Sequence, residues 1–215
     1  MTNTAFIGQL FVSMSPILAI FIMGVIPNNR MLIISIGGAF SWMFSVLLSS
    51  ALWYAIGPLE DDPWFTILLS TVIQEAVRIG FYYLLKWFQN KTIQLTKANE
   101  FPNPVLMGLS VGVGTGLAYI LVLTFPVLWP SKGPGAVFSQ SCPNVSLFTL
   151  IAVQGMLMSL LQVTWSLISF IGFETKKYVY VVATIVSHFA ASYFVNKILS
   201  FPQFFIIFHF NFPFL

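Results

Sequence analysis

Charged residues are scarce in this sequence, and their scarcity excludes most classes of soluble protein. Only 7% of the 215 residues are charged and 58% are hydrophobic, whereas a typical soluble domain carries roughly 25% charged residues. Such a chain has too few polar side chains to cover a surface that faces water. The net charge of +3 is spread between apolar runs and forms no basic patch, which argues against nucleic-acid binding. We therefore expect an integral membrane protein in contact with lipid.

Cysteine, histidine and aspartate are also rare, and this excludes several kinds of site. Cys142 is the only cysteine, so the chain can form neither an intrachain disulfide nor a cysteine-based metal site. The two histidines, His188 and His209, cannot supply a His-Glu-x-x-His zinc motif. Asp61 and Asp62 both fall between apolar runs, which argues against an intramembrane aspartyl protease. We expect no metal, no cofactor, no small-molecule substrate and no catalytic residue in this chain.

What the sequence has in abundance is long apolar stretches. A helix needs about 20 residues to cross roughly 30 Å of hydrocarbon. Barrel strands are about ten residues long and alternate in polarity, which these uniform runs do not. The sequence therefore predicts an all-α integral membrane protein, a polytopic helix bundle over residues 1–200 as a single domain, followed by an apolar C-terminal stub over 201–215. The six predicted spans are about 5–26, 31–56, 65–87, 104–126, 147–171 and 178–198.

Loop charges predict the orientation of the bundle. Cytosolic loops of membrane proteins carry an excess of lysine and arginine. In this chain the basic residues concentrate in the first, third and fifth loops, so we expect these loops to be cytosolic and the N-terminus to be lumenal or extracellular. The residues concerned are Arg30, Lys86, Lys91, Lys97, Lys176 and Lys177, against Lys132 and Lys197 in or near the alternate loops.

Four of the polar side chains inside the predicted spans stand out. Glu75 and Arg78 lie three residues apart on the third span, so they share a helix face and can pair. Gln162 and His188 fall on the fifth and sixth spans at a similar depth, near mid-bilayer, where a direct hydrogen bond between them is allowed. These groups either join neighbouring helices or line a polar cavity, as in a small transporter or channel. Internal repeats would favour the transporter, and the two halves show none.

Three glycines on the fourth span form a tandem Gly-x-x-x-Gly pattern. Gly108, Gly112 and Gly116 lie four residues apart, which creates a groove where another helix backbone can approach closely. The groove either packs against a helix of the same chain or forms an interface with a partner protein. We expect the triplet to be covered by another helix backbone.

The same stretch also matches a nucleophile motif. Ser110 stands between Gly108 and Gly112 in a Gly-x-Ser-x-Gly pattern, and with His188 it suggests an intramembrane serine protease. That motif requires a strand, a sharp turn and a helix to expose the serine. Because Ser110 falls inside an apolar helical run without a turn signal, we consider this alternative the weaker one.

Several short motifs, in their order along the chain, resemble the anterior-pharynx-defective (Aph) family. The similarity covers about residues 5–200. The Gln-Glu-x-x-Arg run and the glycine triplet are quite specific when they occur together. The motifs are Phe11-Val12 with Pro16, Gly38-Ala39-Phe40-Ser41-Trp42, Gln74-Glu75-Ala76-Val77-Arg78, Tyr82-Tyr83-Leu84-Leu85-Lys86, the three glycines, Thr164-Trp165 and Ser187-His188.

The resemblance implies a role as well as a fold. Proteins of this family are the non-catalytic scaffold subunit of gamma-secretase, an intramembrane aspartyl protease whose catalytic aspartates belong to presenilin. Its other partners are nicastrin and the presenilin-enhancer subunit. The resemblance further implies a seven-helix bundle in the endoplasmic reticulum, Golgi and plasma membrane that supports cleavage of membrane proteins such as Notch and amyloid precursor protein. By position, Gly108, Gly112 and Gly116 would be the assembly motif and His188 one of two intramembrane histidines.

The sequence departs from the family pattern in two places. Gln162 stands at the position of the family's other histidine, so a role that needs two imidazoles does not carry over. At the place of the family's seventh helix this sequence has the apolar stub over 201–215, which we interpret either as a truncated seventh helix or as an interfacial strip.

Overall fold

The chain folds into a bundle of membrane-spanning helices. The computed structural model describes residues 3–55, 63–96, 103–133, 138–139 and 142–199, so the stub over 201–215 lies outside the described residues. Within these ranges six helices are long and apolar enough to cross a membrane, which confirms the predicted all-α polytopic fold. The spans are Asn3–Val25, Asn29–Ala55, Trp64–Thr92, Pro104–Lys132, Leu147–Glu174 and Tyr178–Val195.

The regular elements follow one another in simple order. The α-helices of the described residues are α1 (Asn3–Ile20), α2 (Asn29–Ala55), α3 (Pro63–Thr96), α4 (Pro104–Tyr119), the single turn α5 (Phe125–Leu128), α6 (Leu147–Glu174) and α7 (Tyr178–Leu199). Two short antiparallel strands, β1 (Phe138–Ser139) and β2 (Cys142–Ser146), pair in the connection between α5 and α6.

Two helices are longer than the sequence predicts. α3 continues to Thr96 instead of ending near residue 87. The added residues include glutamine and lysine, which are good helix formers, and no glycine or proline interrupts them before Pro102. Apolar character marks where a helix leaves the membrane, but it does not mark where the helix ends.

The fourth span is longer because a proline is accommodated within it. Proline lacks an N–H, and its ring crowds the carbonyl four residues earlier. The chain widens into π-helical turns at Phe21–Val25 and Ile120–Thr124, each ending two residues before a proline, Pro27 or Pro126. A wider turn relieves the crowding. The fourth span therefore continues through α5 and a 3-10 turn at Trp129–Lys132 instead of ending near residue 126.

α4 lies at the centre of the bundle, between α2 and α6. In the most apolar stretch of the fourth span, 67% of the residues are buried, against 22% in the third span and 17% in the sixth. Its contact with α2 is close because glycines meet backbone from both sides. A Cβ on Gly114 would lie 1.9 Å from the Ser35 carbonyl oxygen, and one on Gly38 would lie 2.8 Å from the Val111 carbonyl oxygen. Any larger side chain at Gly114 would push the two helices apart.

The main apolar core lies among α1, α2, α4 and α6, and α3 and α7 flank it. Its buried members are Ile17, Val25, Met31, Trp42, Val113, Ala118, Tyr119, Ile120, Met158, Val163 and Trp165. None of these buried members comes from α3 or α7, although Ala191 and Val195 of α7 pack against this core and Tyr82 of α3 belongs to a second apolar cluster.

Candidate functional site

The charged motif of α3 connects this helix to the rest of the bundle. Glu75 and Arg78 are buried, at 3% and 6% exposed, and Arg78 Nη1 donates to Glu75 Oε1 in an ion pair. The preceding residue, Gln74, accepts a hydrogen bond of 3.3 Å from the indole nitrogen of Trp42 in α2. One short stretch of sequence thus supplies both an internal ion pair and a link to α2.

The same ion pair reaches two further helices. Arg78 Nη2 donates to Gln162 Oε1 of α6 at 2.6 Å, and Nδ1 of His188 in α7 lies 2.5 Å from Glu75 Oε1. Gln162 and His188 are 1% and 2% exposed. The structure therefore brings together the four residues singled out in the sequence, Glu75, Arg78, Gln162 and His188, which we call the charge network. The direct Gln162–His188 hydrogen bond that the sequence allows is replaced by a link through Arg78 and Glu75, because the two charged groups form stronger hydrogen bonds than two neutral groups do.

An aromatic residue completes this contact between α6 and α7. The Trp165 ring stacks on the His188 ring, with 4.1 Å between centroids and 26° between planes. The Trp165 indole nitrogen also donates to Ser187 Oγ at 2.9 Å. Trp165 follows Gln162 by three residues, so both lie on the same helix face.

The pairing within the charge network limits its chemistry. A buried charge is tolerated when it is paired and hydrogen-bonded, and here the carboxylate already has two partners. The site that a transporter or channel would need is filled by the side chains themselves. In the part of the chain that the structure describes, no group of three or more His, Cys, Asp or Glu side chains could hold a metal ion. The arrangement is suited to fixing the positions of α3, α6 and α7.

Ser110 has no exposed position of the kind a nucleophile needs. It is 0% exposed in the middle of α4, and its hydroxyl donates to the Leu106 carbonyl oxygen at 2.8 Å. α4 is a continuous helix from Pro104 to Tyr119, so the described residues just before the serine form helix and not the strand and sharp turn that the motif requires. The ring of His188 is occupied by Glu75 and Trp165. These contacts disfavour the serine protease alternative.

The three glycines of α4 lie against the backbone of α6. A Cβ on Gly112 would lie 2.5 Å from Val163 Cα, closer than real Cβ atoms come to any neighbour. The corresponding distances are 2.8 Å from Gly116 to the Ser159 carbonyl oxygen and 3.1 Å from Gly108 to Leu167 Cα. We call this contact the glycine seam. Its groove is filled by a helix of the same chain.

Comparison with known proteins identifies the family. The family model described as Aph-1 protein matches residues 4–210. The chain belongs to the Aph-1 family. The Aph-1 relatives include "Gamma-secretase subunit APH-1B" of Mus musculus, 28% identical over 206 residues that cover 89% of this chain and 78% of that protein. "Gamma-secretase subunit Aph-1" of Drosophila melanogaster is 29% identical over 195 residues, covering 89% of this chain and 80% of that protein.

The resemblance that the sequence motifs suggested is thereby confirmed, and it extends to a plant relative. "Gamma-secretase subunit APH1-like" of Arabidopsis thaliana is 26% identical over 163 residues, covering 71% of this chain and 65% of that protein.

The sequence did not predict two of the contacts between helices in this Aph-1 family chain. Gly38 and Gly114 bring α2 against α4, although they do not belong to the glycine triplet. Gln74 and Trp42 join α2 to α3, although both stand within motifs used to recognise the family. Gly114 lies two residues after Gly112, so it faces the side of α4 opposite to the glycine triplet. That spacing could have indicated a second close helix contact.

Proposed function

We propose that this chain is a non-catalytic scaffold subunit of gamma-secretase. The observation that carries the proposal is the Aph-1 family match over residues 4–210, together with relatives named as gamma-secretase subunits. The geometry supports it, because the buried polar groups bind one another. The proposed partners are presenilin, which would supply the catalytic aspartates, nicastrin and the presenilin-enhancer subunit.

The glycine seam supports the scaffold role because it sets how closely α4 and α6 pack against each other. α6 already fills the groove of Gly108, Gly112 and Gly116, so a partner helix cannot use that same groove. We propose that the seam acts indirectly, by fixing how α4 and α6 present their outer faces. Assembly would then depend on these glycines although no partner touches them.

The charge network supports the role by holding the flanking helices. Arg78 and Glu75 of α3 contact Gln162 of α6 and His188 of α7, so the network contributes to the attachment of α3 and α7. The proposed scaffold therefore has a closely packed centre, with α4 between α2 and α6, and two flanking helices, α3 and α7, that are held by polar contacts. Its proposed locations are the endoplasmic reticulum, Golgi and plasma membrane, and its proposed substrates, through presenilin, include Notch and amyloid precursor protein.

A rescue experiment tests the function. Membranes that contain presenilin, nicastrin and the presenilin-enhancer subunit but no Aph-1 subunit should cleave a Notch-derived stub only after this chain is added. Replacing a catalytic aspartate of presenilin should abolish the restored cleavage, since the chain itself contributes no catalytic residue.

Two results would contradict the proposal. The first is a chain that inserts into these membranes at normal levels and restores no cleavage. The second is proteolysis by the purified chain alone, accompanied by labelling of Ser110 with a fluorophosphonate probe, which would make the chain a serine protease.

A further inference from the structure

A cluster of basic side chains surrounds one carboxylate where α3 meets the turn between α6 and α7. Lys86 Nζ of α3 lies 2.7 Å from Oε2 of Glu174, the last residue of α6, and the Tyr82 hydroxyl donates to the same oxygen at 2.9 Å. Lys176 and Lys177 follow Glu174 in the turn. We call Lys86, Glu174, Lys176 and Lys177 the basic corner. It holds three ammonium groups and one carboxylate, so its net charge is positive.

Two of these lysines are available to a ligand. Lys176 and Lys177 are exposed, and among the described residues neither forms an ion pair with an acidic side chain. At the opposite end of the bundle, Lys132 is already engaged, since its Nζ lies 3.3 Å from the centroid of the Trp129 ring and 4.5 Å from that of Phe6. Among the described side chains, the two ends therefore differ in free positive charge.

The turn that carries the lysines has a defined backbone. The Lys177 amide donates to the Gly172 carbonyl at 2.9 Å and the Lys176 amide to the Phe173 carbonyl at 3.3 Å, the two bonds of a Schellman motif. Lys176 has a φ of 55°, a conformation that usually belongs to glycine. Lys176 thus places a positively charged side chain at a backbone position that favours glycine.

Exposed tyrosine and tryptophan side chains lie near the basic corner lysines in the sequence. Tyr83, Trp87 and Tyr178 are exposed by 57%, 54% and 59% and lie within three residues of a corner lysine in the sequence. Tyrosine and tryptophan concentrate where the hydrocarbon meets the headgroups. Phe173 stacks on Tyr82 with 4.9 Å between centroids, which fixes the end of α6 against α3. This end of the bundle also carries Arg30 and Lys91 and is the predicted cytosolic end.

We propose that the basic corner binds the headgroup of an anionic phospholipid in the predicted cytosolic leaflet. Exposed ammonium groups recognise phosphate and carboxylate oxygens, and basic residues beside membrane spans attract anionic lipids. The Lys176 and Lys177 ammonium groups contact the headgroup, while Lys86 stays with Glu174 and holds α3 against the turn. This inference does not depend on the scaffold function, and it can be tested on the isolated chain.

Lipid titration followed by native mass spectrometry tests the proposal on the full chain purified in a mild detergent. The probes are phosphatidylserine and phosphatidylcholine. The wild-type chain should bind phosphatidylserine more tightly than phosphatidylcholine. The double variant K176Q/K177Q should bind phosphatidylserine about 30-fold more weakly, which corresponds to about 1 kcal/mol for each lysine. Its binding of phosphatidylcholine should not change.

Two further variants make the result decisive. K176G/K177Q removes the same charges and places glycine where φ is 55°, so it should fold at least as well as the wild type and still lose phosphatidylserine. R30Q/K91Q removes equal charge at the same end of the bundle but outside the corner, so its affinity for phosphatidylserine should fall clearly less than that of K176Q/K177Q. Equal wild-type affinity for both lipids would overturn the proposal, as would unchanged binding by both corner variants. An equal loss in R30Q/K91Q would also overturn it, because the general surface charge would then be responsible.

Discussion

The glycine seam and the charge network hold helices together by different physical means. At the seam, α4 and α6 approach so closely that one added carbon on Gly112 would lie 2.5 Å from Val163 Cα. In the charge network, Arg78 of α3 donates to Gln162 of α6, and Glu75 of α3 contacts His188 of α7. Volume therefore limits substitution at the seam, whereas charge balance limits it in the network. Substitutions that change only volume or only charge should separate the two.

A large side chain at the centre of the seam should have the greatest effect. Gly112→Leu should destabilise the chain by more than about 3 kcal/mol, because the α6 backbone cannot yield as a flexible side chain can. Membrane insertion should persist, since the substitution adds hydrophobicity. The measurement is the recovery of folded monomer in mild detergent together with the inserted fraction.

Gly80 in α3 provides the matched control for this substitution. A Cβ there would meet nothing within 4 Å, so Gly80→Leu should leave monomer recovery close to that of the wild type. If the Gly112 and Gly80 variants are recovered equally well, close backbone contact is not what holds α4 to α6.

Charge substitutions in the network should have an effect of similar size or slightly smaller. Glu75→Gln and Arg78→Gln each leave one buried charge without its partner, which should cost about 3–5 kcal/mol. The double variant leaves neither charge and should be more stable than either single variant. Unfolding of all four proteins in the same detergent forms a double-mutant cycle that measures this coupling. Purely additive losses would show that the two charges do not depend on each other.

Neutral substitutions at the ends of the network should cost less. His188→Leu removes the contact with Glu75 and should destabilise the chain by about 1–2 kcal/mol. Gln162→His should be tolerated within about 1 kcal/mol, because a neutral imidazole can also accept a hydrogen bond from Arg78. Thermal unfolding in detergent checks both values. A severe loss in Gln162→His would mean that the amide shape, and not its acceptor oxygen, is required.

The smallest effect is expected outside the network, at the partly exposed pair of Lys86 and Glu174. Their side chains are 25% and 39% exposed, and ion pairs of this kind contribute less than about 1 kcal/mol. Lys86→Ala should therefore change the unfolding free energy by no more than that amount, and the change should shrink in high salt. A loss as large as that of Glu75→Gln would show that burial does not distinguish the two ion pairs.

The sequence was sufficient to predict the features that depend on composition and spacing. Apolar runs located all six spans, and equal depth grouped Glu75, Arg78, Gln162 and His188 before their contacts were known. The exact pairing could not be predicted, because depth gives no rotation of one helix against another. The π-helical turns were missed because proline usually ends a helix, and the Gly38–Gly114 crossing was missed because these glycines lie on different helices.

Co-purification of the tagged chain tests the scaffold function most directly. Solubilised in mild detergent, the wild-type chain should bring down presenilin and nicastrin together. Gly112→Leu should bring down neither while remaining inserted in the membrane, because the disturbed seam changes the faces that partners bind. A wild-type chain that is folded, inserted and expressed beside both partners, yet recovers neither, would contradict the account.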